Sequence, residues 1–174
     1  MIEPHWKRIA GIHQKENGEI AAVWLALDPD NDVVHLYDTC QFRGDDRNPI
    51  IVSEGLNARG RKIPVAHDSK ELAEMLRDRG CCMLEDPTKG SAAMIEVISG
   101  DIAARMRTGR FKVSERLADW KDEYKSFFRE DAKVPISSHP LMIATRHAMA
   151  ELDFAKAERS RNHSKPMYPT VAMI

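Results

Sequence analysis

No stretch of this sequence approaches the ~20 consecutive apolar residues of a membrane span, and its opening, Met1-Ile2-Glu3-Pro4-His5-Trp6-Lys7, lacks the apolar core of a secretory signal. A cytoplasmic chain without membrane contact is expected. Cysteine is scarce. Cys40 and the adjacent Cys81 and Cys82 are an odd set without metal-finger spacing, which implies neither a disulfide framework nor a structural zinc site. All three are expected to be reduced. Net charge is small too, −1 from 26 basic and 27 acidic residues, so the basic balance that often marks a nucleic-acid-binding domain is missing and any such surface must be local. There is no internal repeat, no Gly-x-x-x-x-Gly-Lys-Ser/Thr phosphate loop and no Gly-x-Ser-x-Gly nucleophile elbow. Nucleotide hydrolysis by this chain is therefore not expected.

What is present is a globular composition, 43% hydrophobic and 30% charged over 174 residues, enough for one domain with a packed core. Short apolar runs at residues 8–12, 20–27 and 33–37, separated by turn-rich segments, read as three strands. The second run is apolar at every position, as a strand covered on both faces should be. The connection Asp28-Pro29-Asp30-Asn31-Asp32 has the chemistry of a turn between antiparallel neighbours. Beyond a polar loop at 43–49, the pattern predicts a helix over 50–59 ending before Gly60, and a strand over 62–66. A helix over 70–79 closed by Gly80 and a short strand over 81–84 follow. Further helices are expected over 91–107, 115–128 and from Pro140 onward, with a short strand at 111–113. The aromatic row Trp120, Tyr124 and Phe127 has helical spacing and reads as core. Strands first as a meander, then strand and helix alternating, describe an α/β domain over residues 1–157 with a mixed sheet flanked by helices, and residues 158–174 read as a flexible tail.

In such sheets ligands gather outside the carboxyl ends of strands, which singles out His13, Asp68 and Glu85. Each also has a plainer reading as a turn or cap residue, and Asp68-Ser69 is a good N-cap for the next helix. Arg105, Arg107, Arg110 and Lys112 form a run of cations with no acid among them. They are either a phosphate-contacting surface or a solvated helix end whose charge complements the helix dipole. Cys81 and Cys82 fall in a predicted buried strand and read as inert core thiols.

Several pieces, taken in order and spacing, carry a resemblance. They are residues 4–12, ending in Gly11-Ile12, then 21–24, 33–38, and 58–68, ending in His67-Asp68. Residues 105–113 and 141–148, with Leu141-Met142, Ala144 and Arg146, complete them. Together they resemble the C-terminal nuclease domain of phage terminase large subunits, the DNA-packaging motors of tailed phages, in the branch that includes the P22 type. The resemblance implies an RNase H-like fold in which acids from the first strand, the fourth strand and a late helix hold two Mg²⁺ or Mn²⁺ ions for phosphodiester hydrolysis. It also implies double-stranded DNA, a terminase ATPase domain, the small terminase and the portal protein as partners, in the host-cell cytoplasm.

The sequence departs from that pattern where the chemistry lies. The family has Gly-Ile-Asp followed by a second glycine, whereas Gly11-Ile12 is followed here by His13, with Lys15 in the place of that glycine. Before the late helix the family carries acids, and here His139-Pro140 stands instead. Only Asp68 retains an acidic position. A neutral imidazole adds no negative charge and suits Mg²⁺ poorly, so a two-ion centre is expected to be badly weakened. His13, Asp68 and His139, if the fold brings them together, could instead bind one softer ion such as Zn²⁺ or Mn²⁺, although simple loss of the site needs fewer coincidences. Glu16, Glu19 and Glu85 are candidate substitute acids that no spacing favours. Three functions follow as expectations: a packaging-associated nuclease-like domain of phage or prophage origin with impaired cleavage, an active endonuclease with substitute ligands, and a DNA- or protein-binding module reusing the fold. In the family an ATP-hydrolysing motor precedes this domain, while Met1 falls almost at its start. The chain is then expected to be a domain cut from a longer protein, a separately encoded piece or the remnant of a broken gene, with packaging by it alone excluded.

Overall fold

In a computed structural model, which describes residues 2–88, 92–127 and 139–157, the three opening runs form an antiparallel meander of β1 (Lys7–Gln14), β2 (Ile20–Asp28) and β3 (Val33–Phe42). Asp28 builds the second turn: its carboxylate accepts the backbone N–H of Asp30 at 3.0 Å and the Asn31 side-chain amide at 2.8 Å. β3 runs five residues past the expected end at Tyr37. Asp38, Thr39 and Gln41 are polar, but the ladder needs only backbone groups, and β2 offers partners as far as Ile20.

β2 is buried on both sides as its composition requires. Ala21, Val23 and Leu25 enter one core, while Ile20, Ala22 and Trp24 enter the other. The second core is closed by α1 (Pro49–Ala58) and α2 (Lys70–Arg77), through Val52, Leu56, Leu72 and Leu76. α3 (Ala92–Arg107), α4 (Ala118–Phe127) and α5 (Pro140–Ala150) close the first, through Ile102, Trp120, Phe127, Leu141 and Ala144. The predicted aromatic row is thus core at Trp120 and Phe127, with Tyr124 packed against it.

β4 (Val65–Ala66) lies parallel to β1 and β5 (Phe111–Val113) parallel to β3, giving the sheet order β4-β1-β2-β3-β5. β4 is shorter than the expected 62–66, because Pro64 offers only its carbonyl, which accepts the Ala10 N–H at 2.8 Å. The expected strand over 81–84 is corrected to a single bridge between Met83 and Val65, since a two-residue β4 leaves no ladder to extend. The pattern missed β6 (Lys156–Ala157), which pairs antiparallel with Lys7 and Arg8. Phe128, Ser91 and the 158–174 tail lie outside the described residues. Because β1, β3 and β4 all run the same way, their carboxyl ends share one edge of the sheet.

Candidate functional site

Register alone brings two of the singled-out residues together. Gly11 pairs with Ala66 across the parallel β1 and β4, so His13 and Asp68, each two residues further on, emerge side by side. The His13 Nδ1–H donates to Asp68 Oδ2. Ser69, not Asp68, caps α2 by accepting the Leu72 N–H at 3.2 Å, which leaves the Asp68 carboxylate to the cluster. A third member comes from α5, which crosses β1 against Gly11 with Ala144 and Ala148. That turn carries His147, whose Nε2 sits 3.3 Å from the same Asp68 oxygen. The two imidazole centroids are 6.2 Å apart, and one donor atom from each of His13, Asp68 and His147 lies within 4.8 Å of the others. Burial, the largest single influence on Asp68, acts to raise its pKa. The His13 hydrogen bond and the adjoining His147 imidazole outweigh it and hold the carboxyl well below the usual range, as an anion.

His139 does not join this group, which corrects the expected set of His13, Asp68 and His139. It stands at the head of α5, buried, with Nε2 2.9 Å from Ser126 Oγ and its ring edge-on to Phe127. His147, about two turns later on the same helix, takes its place. The available signal was helical spacing: His147 adjoins Ala148, a small residue of the kind that lets a helix approach a strand glycine.

His139 lines an open cleft of about 450 Å³ with Gln41, Arg43, Asp119, Asp122, Glu123 and Ser126. There Glu123 accepts the backbone N–H groups of Leu141 at 2.9 Å and Met142 at 3.2 Å, so α4 supplies in space a carboxylate that the sequence lacks before α5. Burial pushes its pKa up to about 7, against the two backbone hydrogen bonds, with Asp119 adding to the rise and Lys15 opposing it. The folded carboxyl keeps its proton up to about pH 7, whereas an unfolded one ionises near 4.5. This contribution to stability is therefore full below the unfolded value and is lost as pH rises through 7. Replacing Glu123→Gln should flatten that decline. After discounting for solvent screening in an open cleft, urea denaturation at acid and alkaline pH should show the variant gaining on the order of 1 kcal/mol relative to wild type as pH rises. An unchanged difference would remove Glu123 as the titrating group.

None of the three candidate substitute acids joins the donor group around Asp68. Glu19 pairs with Lys15 at 2.6 Å, and Glu16 and Glu85 are exposed. The basic run is also less than its sequence suggested. Arg105 is bound to Asp32 at 3.1 Å and Asp101 at 3.0 Å, Arg110 is bound to Asp32 at 3.0 Å, and Arg107 and Lys112 are exposed. This segment adjoins the start of β3, the sheet edge opposite His13 and Asp68. Cys81 is buried, Cys40 and Cys82 are partly so, and all three are free.

One carboxylate between two imidazoles does not fit a pair of Mg²⁺ ions, which take oxygen donors and need bridging negative charge. No model of a known protein family matches the sequence, and no curated protein does. Solved structures do match. The nuclease domain of the P22 large terminase superposes with a TM-score of 0.78 at 22% identity, over 91% of this chain and 88% of that domain. A large terminase from a thermophilic bacteriophage matches with a TM-score of 0.65 at 12% identity, over 88% of this chain but only 42% of that protein. The large terminase nuclease of another thermophilic phage, G20c, a structure with bound cobalt, matches with a TM-score of 0.58 at 17% identity over 86% of this chain and 83% of that one. The chain thus has the RNase H-like α/β fold of large-terminase nuclease domains. No described helix is long and apolar enough to cross a membrane.

Proposed function

We propose that this chain serves viral DNA packaging as a large-terminase nuclease-like domain whose two-metal cleavage is lost or strongly impaired. The observation that carries this reading is the company of Asp68. At the sheet edge where this fold gathers its ligands, the retained carboxylate faces His13 and His147 in place of further acids. The near-complete two-way coverage of the P22 nuclease domain supports the packaging context. Double-stranded DNA is the natural partner, with a terminase ATPase domain, the small terminase and the portal as further ones, in the host cytoplasm. Contacts to phosphates would fall to exposed cations such as Arg107 and Lys112 more than to the acid-paired Arg105 and Arg110.

The test is nicking of supercoiled plasmid with Mg²⁺ or Mn²⁺, run beside a salt series of DNA binding. Wild type is expected to bind DNA with an affinity that falls steeply with salt and to leave plasmid intact. Cutting by wild type that disappears in Asp68→Ala would replace this reading with an active nuclease. Absence of any salt-dependent DNA affinity would favour a protein-interaction module.

A further inference from the structure

We infer that His13, Asp68 and His147 form a site for a single transition-metal dication of borderline softness, Zn²⁺ or Co²⁺ in type. The inference stands on geometry and does not require the packaging role. Two imidazole nitrogens and one carboxylate oxygen are a donor set suited to such ions, and three protein donors leave a further position for solvent. Metal–donor distances of about 2.0–2.2 Å put donors roughly 3–3.6 Å apart around one ion. Asp68 Oδ2 and His147 Nε2 already stand at 3.3 Å, and all three donors fall within 4.8 Å of one another. For an ion to replace the shared proton, the direct His13–Asp68 hydrogen bond has to open and the two imidazole donors have to settle at that spacing from within 4.8 Å.

The second observation is an orphan. His147 Nε2 is buried and makes no hydrogen bond of good geometry, although its side chain is only 12% exposed and an anionic oxygen is beside it. Buried polar atoms are normally paired, and one left over at a convergence of donors calls for a ligand. A purely structural Asp–His pair would need His13 alone. Asp68 is also relieved of helix capping by Ser69. The anchors are rigid: His13 is held in β1 by its pairing with Ala21 of β2, and His147 rides on a helix seated against Gly11. Ions that demand an octahedral oxygen shell, Mg²⁺ above all, are poorly served.

The experiment uses the whole chain, stripped of metal by a chelator that is then removed. Co²⁺ is titrated in while its visible d–d absorption is followed, and thermal melts are recorded with Zn²⁺, Co²⁺ or Mg²⁺. Saturation at one Co²⁺ per chain is expected, with a rise in Tm from Zn²⁺ and Co²⁺ at near-equimolar levels and none from Mg²⁺ at those levels. His147→Ala, checked for a native circular-dichroism spectrum, should lose at least ~10–100-fold in Co²⁺ affinity, the loss that removing even an outer-shell partner causes. His139→Ala should keep the site. A wild type without saturable one-to-one Co²⁺ binding overturns the inference whatever the variants do. So does a Co²⁺ spectrum that survives in His147→Ala. Neither failure touches the packaging reading, which is decided by DNA affinity and nicking.

Discussion

Replacing Gly11→Ala should destabilise the domain by about 3 kcal/mol or more, lowering Tm by roughly 6–12 °C for a domain of this size. A Cβ at that position would lie 2.1 Å from the Ala144 carbonyl oxygen, 2.9 Å from the Ala148 nitrogen and 3.0 Å from the Ala148 Cβ. Two of these three obstacles are helix backbone, so no rotamer change relieves them and α5 itself must lift from β1. Overpacking of side chains costs about 1–3 kcal/mol, and a backbone collision belongs at or above the top of that range. Lifting α5 also withdraws His147 from Asp68, so the same variant should lose the Co²⁺ signal. The comparison is Gly100→Ala in the exposed part of α3, where a Cβ meets nothing within 4 Å. Removing glycine from a helix interior should there gain about 0.5–1 kcal/mol. Opposite signs from one chemical change would locate the cost in the α5–β1 approach. Equal melting temperatures for Gly11→Ala and wild type would mean that α5 does not lie this close.

The sheet was legible because its signals are local. An all-apolar run marks β2, Asp28 to Asp32 mark a turn, and Ser69 with Gly80 brackets α2. β6 was not, since Lys156 and Ala157 have no pattern of their own and are strand only because β1 has an unused edge there. The site divides along the same line. His13 and Asp68 could be found because both leave strands, and parallel strands in register deliver them to one place. Glu85 leaves a run that never becomes a strand, and it ends exposed. His147 lies in the last turn of α5, at no strand end, and its reach to Asp68 depends on Gly11, more than a hundred residues away in sequence. Glu123 reaches the head of α5 from another helix. Asp32, in the turn before the neighbouring strand β3, neutralises Arg105 and Arg110, so a run of cations with no acid among them along the chain is not one in space. Where the resemblance put an acid before α5, the chain has an imidazole, and only three dimensions show Glu123 at that helix terminus.

Trp120→Ala is the second large expected effect, a loss of about 3–5 kcal/mol and roughly 6–20 °C in Tm. Trp120 is fully buried, stacked on Phe111 at 6.0 Å and on Tyr124 at 5.3 Å between centroids. Its Nε1–H donates to Thr145 Oγ1 at 2.9 Å, and that hydroxyl in turn donates to the Leu141 carbonyl at 2.7 Å. The indole therefore seats α4 on α5 by both packing and a buried hydrogen-bond relay. Trp120→Phe separates the two parts. It keeps most of the apolar volume and removes the donor, but Thr145 still has the Leu141 carbonyl to bond, so the cost should be about 1–2 kcal/mol plus the unfilled space. The functional consequence follows from position. Glu123 lies one turn beyond Trp120 on α4 and holds the first amides of α5. With the indole gone, α4 loses its register on α5, Glu123 moves into solvent, and its pKa should return toward the ordinary carboxylate value. The pH dependence attributed to Glu123 should then vanish in Trp120→Ala and persist in Trp120→Phe, as read from denaturation curves at several pH values. If it persists in both, the carboxylate is held at the helix terminus by the cleft itself, and the seating role assigned to Trp120 is wrong.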